Sequence, residues 1–172
     1  MKTGKTLQEM AAEIERQATT RKDYVAPTAK MAMEVHADGD KVTTALNLED
    51  TAAFQLNDLA HRQVGDYVSI PAKYYDRMRT EKPALLVQNV NTWLNSDPSA
   101  RMVRTLDGKV RAFLSDKYRP LENFDLAEAV LPVLMDQQLE IISCEITERR
   151  LYIKAADKRI NRDIPTGKNR MG

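Results

Sequence analysis

The pair Asp107-Gly108 constrains this chain more than any other feature, because it joins two strand-like runs, Arg101 to Leu106 and Lys109 to Ser115. Asp-Gly readily takes the left-handed backbone that a two-residue hairpin loop needs, so an antiparallel ribbon is expected here. A two-residue loop also sets a register. Arg104 then faces Arg111, Val103 faces Ala112 and Met102 faces Phe113. One face carries Val103, Thr105, Val110, Ala112 and Leu114, with Arg101 at its edge. The other carries Arg104, Lys109, Arg111 and Phe113 beside Met102 and Leu106.

Other segments repeat the theme. Leu139 to Thr147 and Arg150 to Ala155 read as a hairpin around Glu148-Arg149. Its apolar face pairs Ile146 with Leu151, Cys144 with Ile153 and Ile142 with Ala155, leaving Arg150, Tyr152 and Lys154 on the polar face. Lys30 to His36 and Lys41 to Leu48 form an earlier hairpin around Asp38-Gly39-Asp40.

Helices fill the intervals. Thr6-Leu7-Gln8-Glu9 matches a capping box and starts a helix over 6–19. Gln55 to Ser69 and Pro71 to Thr80 read as two further helices, with Ser69 as cap of the second. Pro83 opens another, with Leu86, Val90, Trp93 and Leu94 on one face. Asn123 is placed to cap a helix carrying Leu126, Val130, Leu131 and Leu134, which Pro132 should kink. The expected fold is α+β: an antiparallel sheet of hairpins, helices packed on one face, and a small helical insertion over 55–96. Residues 1–156 read as one domain, and 157–172 as a basic tail or a continuation cut short.

With 26 Lys and Arg against 25 Asp and Glu, no global field draws the protein to nucleic acid or membrane, and such affinity must come from local clustering. The apolar runs are too short to span a bilayer, so no membrane association is expected. The single cysteine, Cys144, suits the cytoplasm and falls on an apolar face, where an inert thiol is expected.

Local clustering exists. Residues 101–119 hold six cations (Arg101, Arg104, Lys109, Arg111, Lys117, Arg119) against Asp107 and Asp116. Directly opposed Arg104 and Arg111 ask for an anion, either a carboxylate from elsewhere in the fold or a phosphate. A sheet with helices on one side and Arg, Lys and rings on the other can hold single strands, cations on phosphates and rings on bases. Nucleic-acid contacts are therefore expected from Arg104, Lys109, Arg111, Phe113, Lys117, Arg119, Arg150, Tyr152 and Lys154. Solvated sheet faces are also often cationic, and that blander reading applies to the same residues.

Residues 55–78 have the rhythm of a helix-turn-helix, making Arg62, Lys73 and Arg77 secondary candidates. The turn lacks a glycine and Gly65 lies inside the first helix, so a structural helix pair is the first reading, with Tyr74 and Tyr75 as packing residues. His36 and His61 supply no zinc spacing, and no nucleophile has a defensible base nearby. No metal, no cofactor and no catalytic residue is expected, and the protein is read as a non-enzyme.

The run Ile70-Pro71-Ala72-Lys73-Tyr74-Tyr75-Asp76-Arg77-Met78, followed by Arg104 through Asn123, resembles a family of phage- and plasmid-borne proteins known as domain of unknown function 932. The resemblance spans most of residues 50–170. It implies a mobile-element protein acting in the cytoplasm of a bacterial host, with recombination-type DNA handling such as single-strand binding or annealing. A homo-oligomer is compatible with that role. The alternative is a small phage protein-binding module that inhibits a host defence or replication factor.

Overall fold

The computed structural model describes residues 4–38, 41–49, 51–147, 150–157 and 159. The expected turn residues Gly39-Asp40 and Glu148-Arg149, and the tail from 160 onward, lie outside the described residues. In chain order the elements are α1 (Leu7–Thr20), β1 (Lys22–Pro27), a 3₁₀ turn (Thr28–Lys30), β2 (Met31–Asp38), β3 (Lys41–Leu48), β4 (Phe54–Leu56), α2 (Asp58–Tyr67), α3 (Ala72–Glu81), α4 (Pro83–Ser96), β5 (Ala100–Leu106), β6 (Lys109–Ser115), α5 (Asn123–Asp136), β7 (Glu140–Ile146) and β8 (Leu151–Ala156). The class is α+β, as expected. The chain divides into two compact units, Arg16–Pro120 and Met1–Glu15 with Leu121–Gly172.

Arg16–Pro120 holds a six-stranded sheet in the order β1-β5-β6-β4-β3-β2. Pairing is antiparallel except between β4 and β6, which makes the sheet mixed where hairpins alone were expected. Strand β4 is followed at once by α2, which Asn57 caps, accepting a hydrogen bond from the Ala60 amide at 2.8 Å. Strands β1 and β4 have weak alternation, and the sequence does not announce them. They are added by tertiary pairing alone.

Helices α2, α3 and α4 bring Ala60, Val64, Tyr75, Met78, Leu86, Val90 and Leu94 into one core with Met31, Met33, Leu46, Val103, Val110 and Phe113 of the sheet. Each fully buried Leu is worth about 2 kcal/mol relative to exposure, so this cluster dominates the stability of the unit. Trp93 departs from the expected α4 face: Leu86, Val90 and Leu94 are buried, but Trp93 stays 53% exposed.

Ser69 does not cap α3. It takes φ of 56° just past α2, where the Ile70 amide donates to the Gly65 carbonyl at 3.0 Å and the Ser69 amide to Asp66 at 3.2 Å. This is the left-handed helix ending usually given to glycine. Gly65 is needed for another reason: a Cβ there would lie 3.0 Å from the Tyr75 ring, so its absence lets α3 approach α2.

The second unit pairs β7 with β8 and buries Met10, Ile14, Ala127 and Cys144, with Leu131, Ile141, Ile146, Leu151 and Ile153 packed around them. The capping box forms as expected, the Thr6 amide donating to Glu9 at 2.7 Å and the Glu9 amide to Thr6 Oγ1 at 3.2 Å. Helix α5 is capped by Glu122 and Asp125 rather than Asn123, and runs on through Pro132. A register shift replaces Ile142 by Ile141 opposite Ala155, so Ile142 is exposed. No helix among the described residues is long and apolar enough to cross a membrane.

Candidate nucleic-acid interface

The β5–β6 turn is built as read, with Asp107 at φ 51° and Gly108 at φ 71°. Its register holds for Leu106 opposite Lys109 and Thr105 opposite Val110, then shifts: Arg104 faces Ala112, leaving Arg111 as the extra residue of a β-bulge. The two guanidinium groups are therefore not directly opposed. The bulge also moves Phe113 opposite Val103, onto the helix-covered face, where it is 3% exposed and packs against Tyr67 with ring centroids 5.5 Å apart.

Arg104 is 4% exposed, and its Nε donates to Asp23 Oδ1 of β1 at 2.9 Å. Strand β1 lies beside β5 with Asp23 opposite Arg104, and supplies the carboxylate that the charge pattern asks for. Phe113 and Arg104 are thus corrected from platform residues to buried ones. Asp107 is also engaged, gripped by Arg16 in two bonds at 2.6 and 3.0 Å, and these and a Thr20 hydroxyl hold its carboxyl below the ordinary range.

The other expected residues divide in two. Lys109, Lys117 and Arg119 are exposed, and none has a carboxylate partner among the described residues, whereas Arg111 is half-buried and engaged. On the β7–β8 hairpin Arg150, Tyr152 and Lys154 are exposed together, and Arg150 Nη1 donates to the Tyr152 hydroxyl at 3.1 Å. That hairpin is a separate sheet, so the single continuous cationic platform implied by the two readings is not formed by one sheet.

On α2 and α3 the secondary candidates are mostly neutralised. Arg62 pairs with Asp76 at 3.2 Å and Arg77 with Glu81 at 3.0 Å, while Lys73 is exposed without a described partner. Tyr75 is buried as expected, and its hydroxyl lies 3.0 Å from Nδ1 of His61. His61 is itself buried. Burial, aided by the Arg79 charge, pushes its imidazole down to about 4, and burial pushes the Tyr75 hydroxyl up, so both are neutral near pH 7.

A different arrangement emerges at the end of the sheet where β6 finishes. Tyr67, Ile70, Pro71, Tyr74, Trp93 and Asp97 line an open cleft of about 470 Å³. Tyr74 is 48% exposed, correcting its assignment as a packing residue. Asp97 is the only carboxylate in the lining. Beneath the cleft, the Arg101 guanidinium stacks on Tyr67 at 4.1 Å from the ring centroid. Burial raises the Tyr67 hydroxyl, but hydrogen bonds with Ser99, Thr28 and Arg101, with the Arg101 charge, bring it below its ordinary value.

Strand pairing ties this cleft to the basic run after β6. Ser115 faces Arg101 across the ribbon, and the Tyr118 amide donates to the Ser115 carbonyl at 3.0 Å. The sequence Lys117-Tyr118-Arg119 therefore leaves the sheet at the end where Arg101 and Tyr67 stand. Tyr118 is exposed between its two cations. These cations are legible in the sequence, and Arg101 is among them as a charge but not as a contact residue; Tyr67 and Trp93 are not legible as site residues. Trp93 falls within the apolar stripe of α4 with Leu86, Val90 and Leu94, so no signal in the sequence set it apart.

No protein-family model, no curated protein and no solved structure matches this chain.

Proposed function

We propose that this protein is a non-enzymatic nucleic-acid-binding protein of a phage or other mobile element, holding single-stranded DNA inside a bacterial host cell during recombination. The family resemblance motivates the mobile-element context. One chain of observations supports the binding reading: Tyr74 and Trp93 line a cleft with Tyr67, Arg101 over Tyr67 pairs with Ser115 at the end of β6, and Lys117, Tyr118 and Arg119 follow there, exposed, the two cations with no described carboxylate partner. Rings that bases can stack on, next to cations for phosphates, are the two parts that sequence-tolerant single-strand binding requires. Arg104 and Phe113 play no direct part in this version of the site.

Fluorescence anisotropy with single- and double-stranded oligonucleotides at two salt concentrations tests it. Single strands are expected to bind more tightly, with affinity falling steeply as salt rises. The double substitution Lys117→Ala/Arg119→Ala should weaken binding to every sequence and shallow the salt slope by about 2. Absent or salt-insensitive binding overturns the reading.

Asp97 and the largely apolar lining of the cleft favour a second reading, a module that grips a host protein through an apolar, basic segment. Capture of one defined partner that survives nuclease treatment and is lost in Trp93→Ala, without oligonucleotide binding, would favour it.

A further inference from the structure

Arg101 differs from the exposed unpaired cations of this unit in being partly buried. Arg16, Arg62, Arg77, Arg79 and Arg104 each meet a carboxylate. Arg101, half-buried, meets none among the described residues, and its buried Nε has no hydrogen-bond partner. Taking a guanidinium partly out of water without an anion is costly. The fold accepts that cost and holds the group over the Tyr67 ring, 4.1 Å from its centroid. That contact positions the guanidinium in advance, and a planar fork matches phosphate oxygens better than an ammonium does.

The neighbours suit the same ligand. Tyr67 carries Arg101 on its ring and also lines the cleft that exposed Tyr74 and Trp93 flank. Its hydroxyl lies 2.9 Å from Ser99 Oγ, which leaves a polar corner beside the guanidinium. An apolar slot beside a preset cation has the composition of a nucleotide site, base on the rings and phosphate on the fork. We propose that Arg101 is the phosphate subsite for a single-strand nucleotide whose base occupies the Tyr74–Trp93 cleft. This rests on the single-strand reading and assigns it a place and a residue.

The chain has one tryptophan, so its intrinsic emission reports this cleft directly. Titrating the whole protein with a short oligo(dT) should quench Trp93 emission, and inorganic phosphate should compete. Arg101→Ala should weaken oligo(dT) binding by about tenfold, Arg101→Lys by less, and Tyr74→Ala by about tenfold through lost stacking. Thermal melting checks that each variant is folded. Should Arg101→Ala fail to fold, Arg101→Lys and phosphate competition on the unaltered protein decide instead.

Suppose labelled oligo(dT) binds by anisotropy, yet Trp93 emission is unmoved and the Arg101 variants bind normally. The subsite is then overturned and the broader reading stands. If quenching occurs but phosphate does not compete and the Arg101 variants bind normally, the phosphate role is overturned. If no oligonucleotide binds, both fall.

Discussion

The side-chain amide of Asn91 on α4 engages both backbone groups of Met33 on β2. Its Oδ1 accepts from the Met33 amide at 2.7 Å, and its Nδ2 donates to the Met33 carbonyl at 2.8 Å. Strand β2 ends the sheet, with β3 as its partner on the other side. Asn91 thus stands where a further strand would pair, satisfying edge groups that otherwise invite another chain. Asn91→Leu should cost about 2 kcal/mol in urea unfolding, from two lost hydrogen bonds and stranded backbone groups. Asn91→Asp should cost at least as much, since a carboxylate oxygen would then face the Met33 carbonyl to which Nδ2 now donates. Equal stability of all three proteins would refute this account of the edge.

The pair Arg104 and Asp23 leads to a second expectation. Asp23→Ala leaves a buried guanidinium without its carboxylate and should destabilise by about 1–3 kcal/mol. Arg104→Met removes the charge itself, so the double variant should be more stable than Asp23→Ala alone. A double-mutant cycle by chemical denaturation reads this coupling, and strict additivity would contradict it. In binding assays Arg104→Ala should act only through folding.

His61 carries a third. Its imidazole is held down to about 4 chiefly by burial and then by Arg79, with Asp58 and Asp76 pulling the other way. In the unfolded chain it returns to about 6.5, so the unfolded state takes up the proton first as pH falls. The stability from burying the neutral ring is complete above about pH 6.5, declines from there to about pH 4, and is lost below, a total of about 3 kcal/mol. His61→Gln should flatten that segment of the stability-against-pH curve. An unchanged slope between pH 6.5 and 4 in the variant would assign the loss to other groups.

Local chemistry made much of the fold legible. The turn at Asp107-Gly108, the capping box at Thr6 and Glu9, and Pro83 opening α4 each depend on neighbours in the chain, and each forms. The candidate site was less legible because it depended on register. One bulge at Arg111 moved Phe113 into the core and broke the Arg104–Arg111 opposition, and no turn signal encodes a bulge three residues past the turn. Trp93 shares the apolar face of α4 because the stripe is wide enough to include it, and only the packed helix shows which edge of the stripe is left open.

What the sequence determined alone was the set of elements whose signals are local: the hairpins, most of the helices and the α+β class they imply. Backbone preference and hydrophobic period act over a few residues, and they survive any packing arrangement. The tertiary structure alone decided that β1 lies beside β5 to neutralise Arg104, that β4 joins β6 in parallel, and that Tyr67 and Arg101 meet below the Tyr74–Trp93 cleft. Those pairings join residues tens of positions apart. Their free energy comes from burial and charge compensation, which exist only once the distant segments touch.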